Sequence, residues 1–164
     1  MNLPKRKPTR LKNFNYRQNG YYFITICTHK RKHLLSNIVG QGLAPAENKL
    51  SLLGKIANEQ ILDLENRYKN IRIDKYVIMP NHIHAIIVIE TKSAGASPCP
   101  TLSDVVCSFK SIATRKFHKI NLNEKIWQTS FHDHIIRDEN DYLKIWNYID
   151  TNPQKWKEDC FYKD

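Results

Sequence analysis

No stretch of this 164-residue chain approaches the roughly 18 to 20 consecutive apolar residues that a membrane-spanning helix needs, and its basic N-terminus leads into no signal-peptide core. These two absences point to a cytoplasmic protein with no membrane partner. The four cysteines, Cys27, Cys99, Cys107 and Cys160, are far apart, and no Cys-x-x-Cys pair offers half of a thiolate zinc site. They read as thiols in a reducing compartment, with Cys27 in the core. There is no internal repeat, no low-complexity segment, and no room for an accompanying helicase domain. Acidic residues are also scarce: 16 Asp and Glu face 26 Lys and Arg, a formal net charge of +10. For a folded domain that balance suggests a polyanionic partner such as nucleic acid.

The length and an apolar content of 41% suit one domain with one core. Residues 1–19 read as a basic N-terminal arm, with Lys5, Arg6, Lys7, Arg10, Lys12 and Arg17 interleaved with Phe14 and Tyr16. Such an arm is either a solvated tail or a surface that neutralises phosphates and stacks bases. Residues 20–164 form the domain. Tyr21 to Thr28 is dense in aromatic and β-branched residues and predicts the first strand. The stretch 30–49 predicts a loop with at most a short extra strand. Ser51 opens a helix that continues to Arg67-Tyr68-Lys69. Ile71 to Met79 is a strand with Ile71, Ile73 and Tyr76 inward, and a Pro80-Asn81 turn makes it an antiparallel hairpin with His82 to Ile89.

Residues 91–100 are a turn-rich loop. Leu102 to Ile120 is a second long helix, apolar along Val105, Val106, Phe109, Ile112, Ala113 and Phe117 and basic elsewhere through Lys110, Arg115 and Lys116. Ile126 to Ile136 is irregular to extended, with His132, His134 and Ile136 alternating against Phe131 and Ile135. A final helix starts at an Asp138 N-cap and stops at Pro153. This order predicts an α+β fold: a ferredoxin-like sandwich with a central antiparallel sheet, two long helices and an added C-terminal helix.

Two histidines lie in the most apolar strand. Strand side chains alternate, so His82 and His84 share a face about 7 Å apart, within reach of one metal ion or simply hydrogen-bonded at a sheet edge. On the final helix Tyr148 and Asn152 are spaced i,i+4 and address one site. Asn152 offers a third, oxygen ligand, and the set suits Mg²⁺ or Mn²⁺. Tyr148 is then either an oxygen nucleophile for a phosphate or an ordinary core aromatic, and Asn152-Pro153 either a ligand or a helix stop. His132 and His134 form another same-face pair.

Five motifs in order carry a resemblance over nearly the whole chain, from about Arg10 to Trp156. They are Tyr21-Tyr22-Phe23-Ile24-Thr25-Ile26-Cys27-Thr28, Val77-Ile78-Met79-Pro80-Asn81-His82-Ile83-His84, Ile126-Trp127-Gln128, His134-Ile135-Ile136-Arg137-Asp138 and Tyr148-Ile149-Asp150-Thr151-Asn152-Pro153. The sequence resembles the REP-associated tyrosine transposases, members of the single-tyrosine HUH transposases. The resemblance implies cleavage and rejoining of single-stranded DNA beside a hairpin. It makes His82 and His84 the histidine pair, Tyr148 the nucleophile and Asn152 a further metal ligand. The product would be a 5′-phosphotyrosine and a free 3′-hydroxyl, with the arm and the basic helix as DNA surfaces. A compact monomer using its own tyrosine is expected ahead of a dimer that exchanges the last helix. A relaxase-like initiator and a non-catalytic ferredoxin-like nucleic-acid-binding regulator are the alternatives.

Overall fold

The computed structural model of the chain describes residues 15–40, 46–90, 99–120 and 124–162. Arg6, Lys7, Arg10 and Lys12 of the basic arm lie outside the described residues. Four strands, β1 (Gly20–Cys27), β4 (Ile71–Ile78), β5 (His82–Ile89) and β6 (His132–Ile136), form an antiparallel sheet in the order β4-β5-β1-β6. Helices α1 (Leu52–Leu62) and α3 (Leu102–His118) connect them in the βαββαβ order of the ferredoxin-like fold, and α4 (Glu139–Thr151) follows β6. The expected fold class is thus the observed one.

Alternation along the strands divides the sheet into two unequal faces. Tyr22, Ile24 and Ile26 of β1 and Ile83, Ala85, Ile87 and Ile89 of β5 face α1 and α3, joining Leu53, Ile56, Ile61, Val105, Val106 and Phe109 in the main core. The intervening residues, including His82 and His84, face the opposite way, toward α4. All eight β5 residues are buried, because this central strand is covered on both sides.

Capping fixes where the helices begin. Ser51 Oγ accepts from Gly54 N–H, Thr101 and Asp104 form a reciprocal capping box, and Asp138 accepts from Asp141 N–H as expected. The first helix is interrupted at Asp63, and Leu64–Arg67 forms a separate short helix, α2. There the Arg67 guanidinium donates to the Gln60 carbonyl of the last α1 turn at 3.0 Å and forms an ion pair with the Asp63 carboxylate at 3.0 Å. The stretch expected to be mostly loop contains a two-stranded hairpin, β2 (Ser36–Val39) with β3 (Glu47–Leu50). Each strand is four residues long, too short for periodicity to register.

The packed structure begins ahead of the first strand: Tyr16 packs on the core beside Tyr22, and its carbonyl accepts from Leu102 N–H. A β-bulge in β4 shifts the pairing between Ile73 and Lys75, leaving Asp74 as the extra residue. Its effect is to switch parity, so that Ile71 and Ile73 before it and Tyr76 and Ile78 after it all face the main core.

Candidate metal and nucleophile site

The site lies on the sheet face opposite α1 and α3. It begins at the Pro80-Asn81 turn, held by backbone bonds from Leu35 N–H to the Pro80 carbonyl and from Thr28 N–H to the Asn81 carbonyl. Leu35 is held in turn by α1, whose Ser51 N–H donates to the Leu35 carbonyl. Gly54 is needed at this contact, since a Cβ there would meet the Leu35 carbonyl oxygen at 1.9 Å. The main core thereby sets the height of the turn that presents His82.

His82 and His84 are buried, with ring centroids 4.4 Å apart. Asn81 Nδ2 donates to the Phe161 carbonyl at 2.9 Å, which leaves its Oδ1 to accept from His82 Nδ1–H at 2.8 Å. Nε2 of His82 therefore carries the lone pair, and it is buried without a hydrogen-bond partner. His84 Nδ1 lies 2.9 Å from Thr25 Oγ1, a hydroxyl that serves as donor or acceptor and so accommodates either tautomer. When Nδ1–H donates to Thr25, Nε2 of His84 carries the lone pair, as a metal ligand requires.

From the far side α4 brings Tyr148, whose hydroxyl is 3.2 Å from His84 Nε2, and Asn152, which is buried with its Oδ1 unpartnered. The segment after α4 then folds back over the histidines. Trp156 and Phe161 lie 5.8 and 4.8 Å from the His82 ring, and Asp159 Oδ2 accepts from the Tyr148 hydroxyl at 2.8 Å and from Asn152 Nδ2 at 2.5 Å. Ligand atoms of His82, His84 and Asp159 lie within 4.8 Å of one another, close enough to hold one metal ion.

The electrostatics follow from burial. Desolvation drives His82 down to about 3, with Arg31 adding to the fall; it also lowers His84 well below the ordinary value, and neighbouring His82 reinforces this. Both rings are thus neutral at physiological pH, the form that ligates metal. Tyr148 is raised above its ordinary value by desolvation first and by its hydrogen bond to Asp159 second. Two buried acceptors without donors, His82 Nε2 and Asn152 Oδ1, on the rim of one cluster fit a cation better than they fit a sealed core, where each orphan costs about 1–3 kcal/mol.

The structure brings His82, His84, Tyr148 and Asn152 together. Asp159 was not among the residues singled out from the sequence; nothing local distinguishes it from the neighbouring Glu158. Asn81 read only as a turn residue, although its side chain orients His82. Of the basic candidates, Arg17, Arg115 and Lys116 are exposed. Arg115 and Lys116 belong to α3, on the opposite layer of the sheet from the histidines, and Lys116 lies 3.7 Å from Glu59. Lys110 is engaged internally: its ammonium donates to the Gln128 and Ser130 carbonyls at 2.8 and 2.9 Å, fastening the connection that precedes β6. His134 Nε2 lies 2.7 Å from Asp141 Oδ2 of α4, so it tethers the helix from β6.

β4 supplies a second tether. Asp74 Oδ2 accepts from the Tyr142 hydroxyl at 2.6 Å, while Lys75 Nζ lies 2.5 Å from Asp150 Oδ1 and 3.8 Å from the Trp146 ring centroid. Arg72 neutralises the other oxygen of Asp74 at 2.5 Å.

No protein-family model matches the chain. An uncharacterized protein from Haemophilus influenzae (strain Rd) is 34% identical over 174 residues, covering 97% of this chain and 94% of that protein. Among solved structures, a REP-associated tyrosine transposase bound to a REP hairpin superposes with a TM-score of 0.63 at 21% identity, covering 90% of this chain and 74% of that one. A Deinococcus radiodurans structure assigned provisionally to the transposases gives a TM-score of 0.51 at 15% identity, covering 87% and 95%. The chain therefore belongs to one family with the H. influenzae protein, and its fold is the one seen in the hairpin-bound REP-associated tyrosine transposase.

Proposed function

We propose that this protein is a transposase of the REP-associated, single-tyrosine HUH type, a metal-dependent enzyme that nicks and rejoins single-stranded DNA beside a hairpin. The observation that carries this reading is the convergence of the Tyr148 hydroxyl on His84 Nε2 at 3.2 Å, beside an unpartnered His82 Nε2. Tyr148 is 37% exposed, so it does not fill the core, and its oxygen is held against a buried, neutral histidine.

His82, His84 and Asn152 would hold the ion through two imidazole nitrogens and an amide oxygen, with Asp159 in reach as a further carboxylate. A bound Mg²⁺ or Mn²⁺ supplies Lewis-acid withdrawal of charge from the scissile phosphate. Tyr148 forms the new bond from its phenolic oxygen to phosphorus as the bond from phosphorus to the 3′ oxygen breaks, giving a 5′-phosphotyrosine and a 3′-hydroxyl. Asp159 Oδ2, already the acceptor for the Tyr148 proton at 2.8 Å, is the base within reach. The phosphoester energy stays in the tyrosyl link, so rejoining to another 3′-hydroxyl needs no nucleotide triphosphate.

Because His84 and Tyr148 meet within one chain, we read the tyrosine as acting in cis in a monomer. The related transposase structure holds a REP hairpin, and the +10 net charge suits the same class of partner here. Single-stranded hairpin DNA incubated with the protein and Mn²⁺ or Mg²⁺ is expected to yield a protein–DNA adduct with the wild type and none with Tyr148→Phe. An adduct that survives the substitution removes Tyr148 as nucleophile. Hairpin binding unaffected by EDTA and by His82→Ala, with no cleavage, would instead favour a binding module without chemistry.

A further inference from the structure

The helix that carries Tyr148 has an unusually polar seat. Ile149 is its only fully buried residue, and Leu143 and Trp146 remain 54% and 37% exposed. Apolar burial therefore does little to fix its rotation about its own axis. At 100° per residue, Ile149 lies between two flanks. One flank carries Asp141, Tyr148 and Asn152 and faces His134 and the histidine pair; the other carries Tyr142, Trp146 and Asp150 and faces β4. A roll about the Ile149 contact would lift one flank as it lowers the other, changing the distance from the Tyr148 oxygen to His84.

The bulge in β4 determines what meets the second flank. In a regular strand adjacent residues point to opposite faces, so Asp74 and Lys75 could not both reach α4. The extra residue breaks the alternation and turns both toward the helix, two turns apart along it, where Tyr142 meets Asp74 and Asp150 meets Lys75. Lys75 also covers the Trp146 ring, one helical turn before Asp150, and Arg72 keeps the Asp74 carboxylate paired on its remaining oxygen. Both side chains are largely shielded from water, at 14% and 23% exposure.

We propose that Asp74 and Lys75 are positioning residues, a two-point clamp created by the bulge that sets the rotation of α4 and hence the approach of Tyr148 to the histidine pair. This inference rests on the reading of Tyr148 as the nucleophile. The clamp touches neither DNA nor metal; it acts through the helix.

The test combines two readouts on Lys75→Met, on the conservative Lys75→Arg, and on the charge swap Lys75→Asp with Asp150→Lys. In DNA-free protein, hydrogen exchange of the α4 amides is expected to quicken about tenfold in Lys75→Met, with β1 and β5 unchanged, and to return toward wild type in Lys75→Arg and in the swap. With saturating hairpin DNA and Mn²⁺, the rate of adduct formation in Lys75→Met is expected to fall about tenfold to a hundredfold, DNA affinity staying within about twofold, with the same two variants restoring the rate. Unchanged exchange and rate in Lys75→Met overturn the clamp. A loss of DNA affinity in place of rate, or a swap that restores neither readout, overturns it too, the first by making Lys75 a DNA contact. A wild type that forms no adduct, while Lys75→Met still loosens α4, overturns the nucleophile reading and leaves the clamp without a tyrosine to position.

Discussion

Asn81 Oδ1 accepts the Nδ1 hydrogen of His82 at 2.8 Å, so the residue immediately before the first histidine decides which of its ring nitrogens faces the site. Removing that acceptor frees the tautomer and the ring. Asn81→Ala is expected to weaken Mn²⁺ binding about 10- to 100-fold, the usual cost of losing a partner that orients a ligand, as read by calorimetric titration. Affinity equal to wild type would show that the ring is held by its strand and its aromatic neighbours alone.

The two histidines make the metal-free fold sensitive to acid. His82 titrates near 3 in the folded chain and near 6.5 when unfolded, so below about 6.5 the unfolded chain binds the extra proton and stability falls with falling pH until about 3. At pH 5 this single group corresponds to about 2 kcal/mol, and His84, shifted in the same direction, adds to it. Urea unfolding at pH 7.5 and pH 5 checks the slope. His82→Gln should flatten part of it.

Asp159 accepts the proton of the Tyr148 hydroxyl and is the second cause, after burial, of that phenol's raised pKa. Asp159→Asn is therefore expected to lower the Tyr148 titration without returning it to the ordinary value, because burial persists. Ultraviolet difference titration with Tyr148→Phe as the reference isolates this one tyrosine among eight.

Gly54 lies inside α1, where alanine ordinarily stabilises by about 1 kcal/mol. Here the added methyl would meet the Leu35 carbonyl at 1.9 Å, so Gly54→Ala should instead destabilise by about 1–3 kcal/mol. Since Leu35 also bonds Pro80, the same substitution should weaken metal binding at a distance. Denaturation midpoints and Mn²⁺ titration measure both.

The basic residues of α3 are expected to divide by role. If Arg115 and Lys116 contact phosphates, each alanine substitution reduces the slope of log binding constant against log salt by about 1. Lys110→Met is expected to leave that slope unchanged and to lower stability, because its ammonium is spent on the Gln128 and Ser130 carbonyls. Salt-dependent anisotropy with labelled hairpin DNA distinguishes the two behaviours.

Periodicity and spacing are local properties, and they carry the features legible in the chain alone. Alternation placed His82 and His84 on one face, the i,i+4 interval put Tyr148 with Asn152, and the strand and helix patterns yielded the ferredoxin-like order. The parity switch in Ile71-Arg72-Ile73-Asp74-Lys75-Tyr76 is legible in the sequence as Tyr76 joining Ile71 and Ile73 inward, but the bulge that produces it has no local signature. Tertiary structure decided the rest. Only the fold brings Asp159 back across 75 positions to His84, turns Lys110 inward, and makes Asn81 the orienting partner of His82 while also bonding Phe161. A period records which face a side chain takes; which distant group waits there depends on how the faces meet, and no local pattern encodes that. The buried lone pair on His82 Nε2 is the sharpest example, since it exists only because strand, turn and C-terminal segment enclose the same few ångströms.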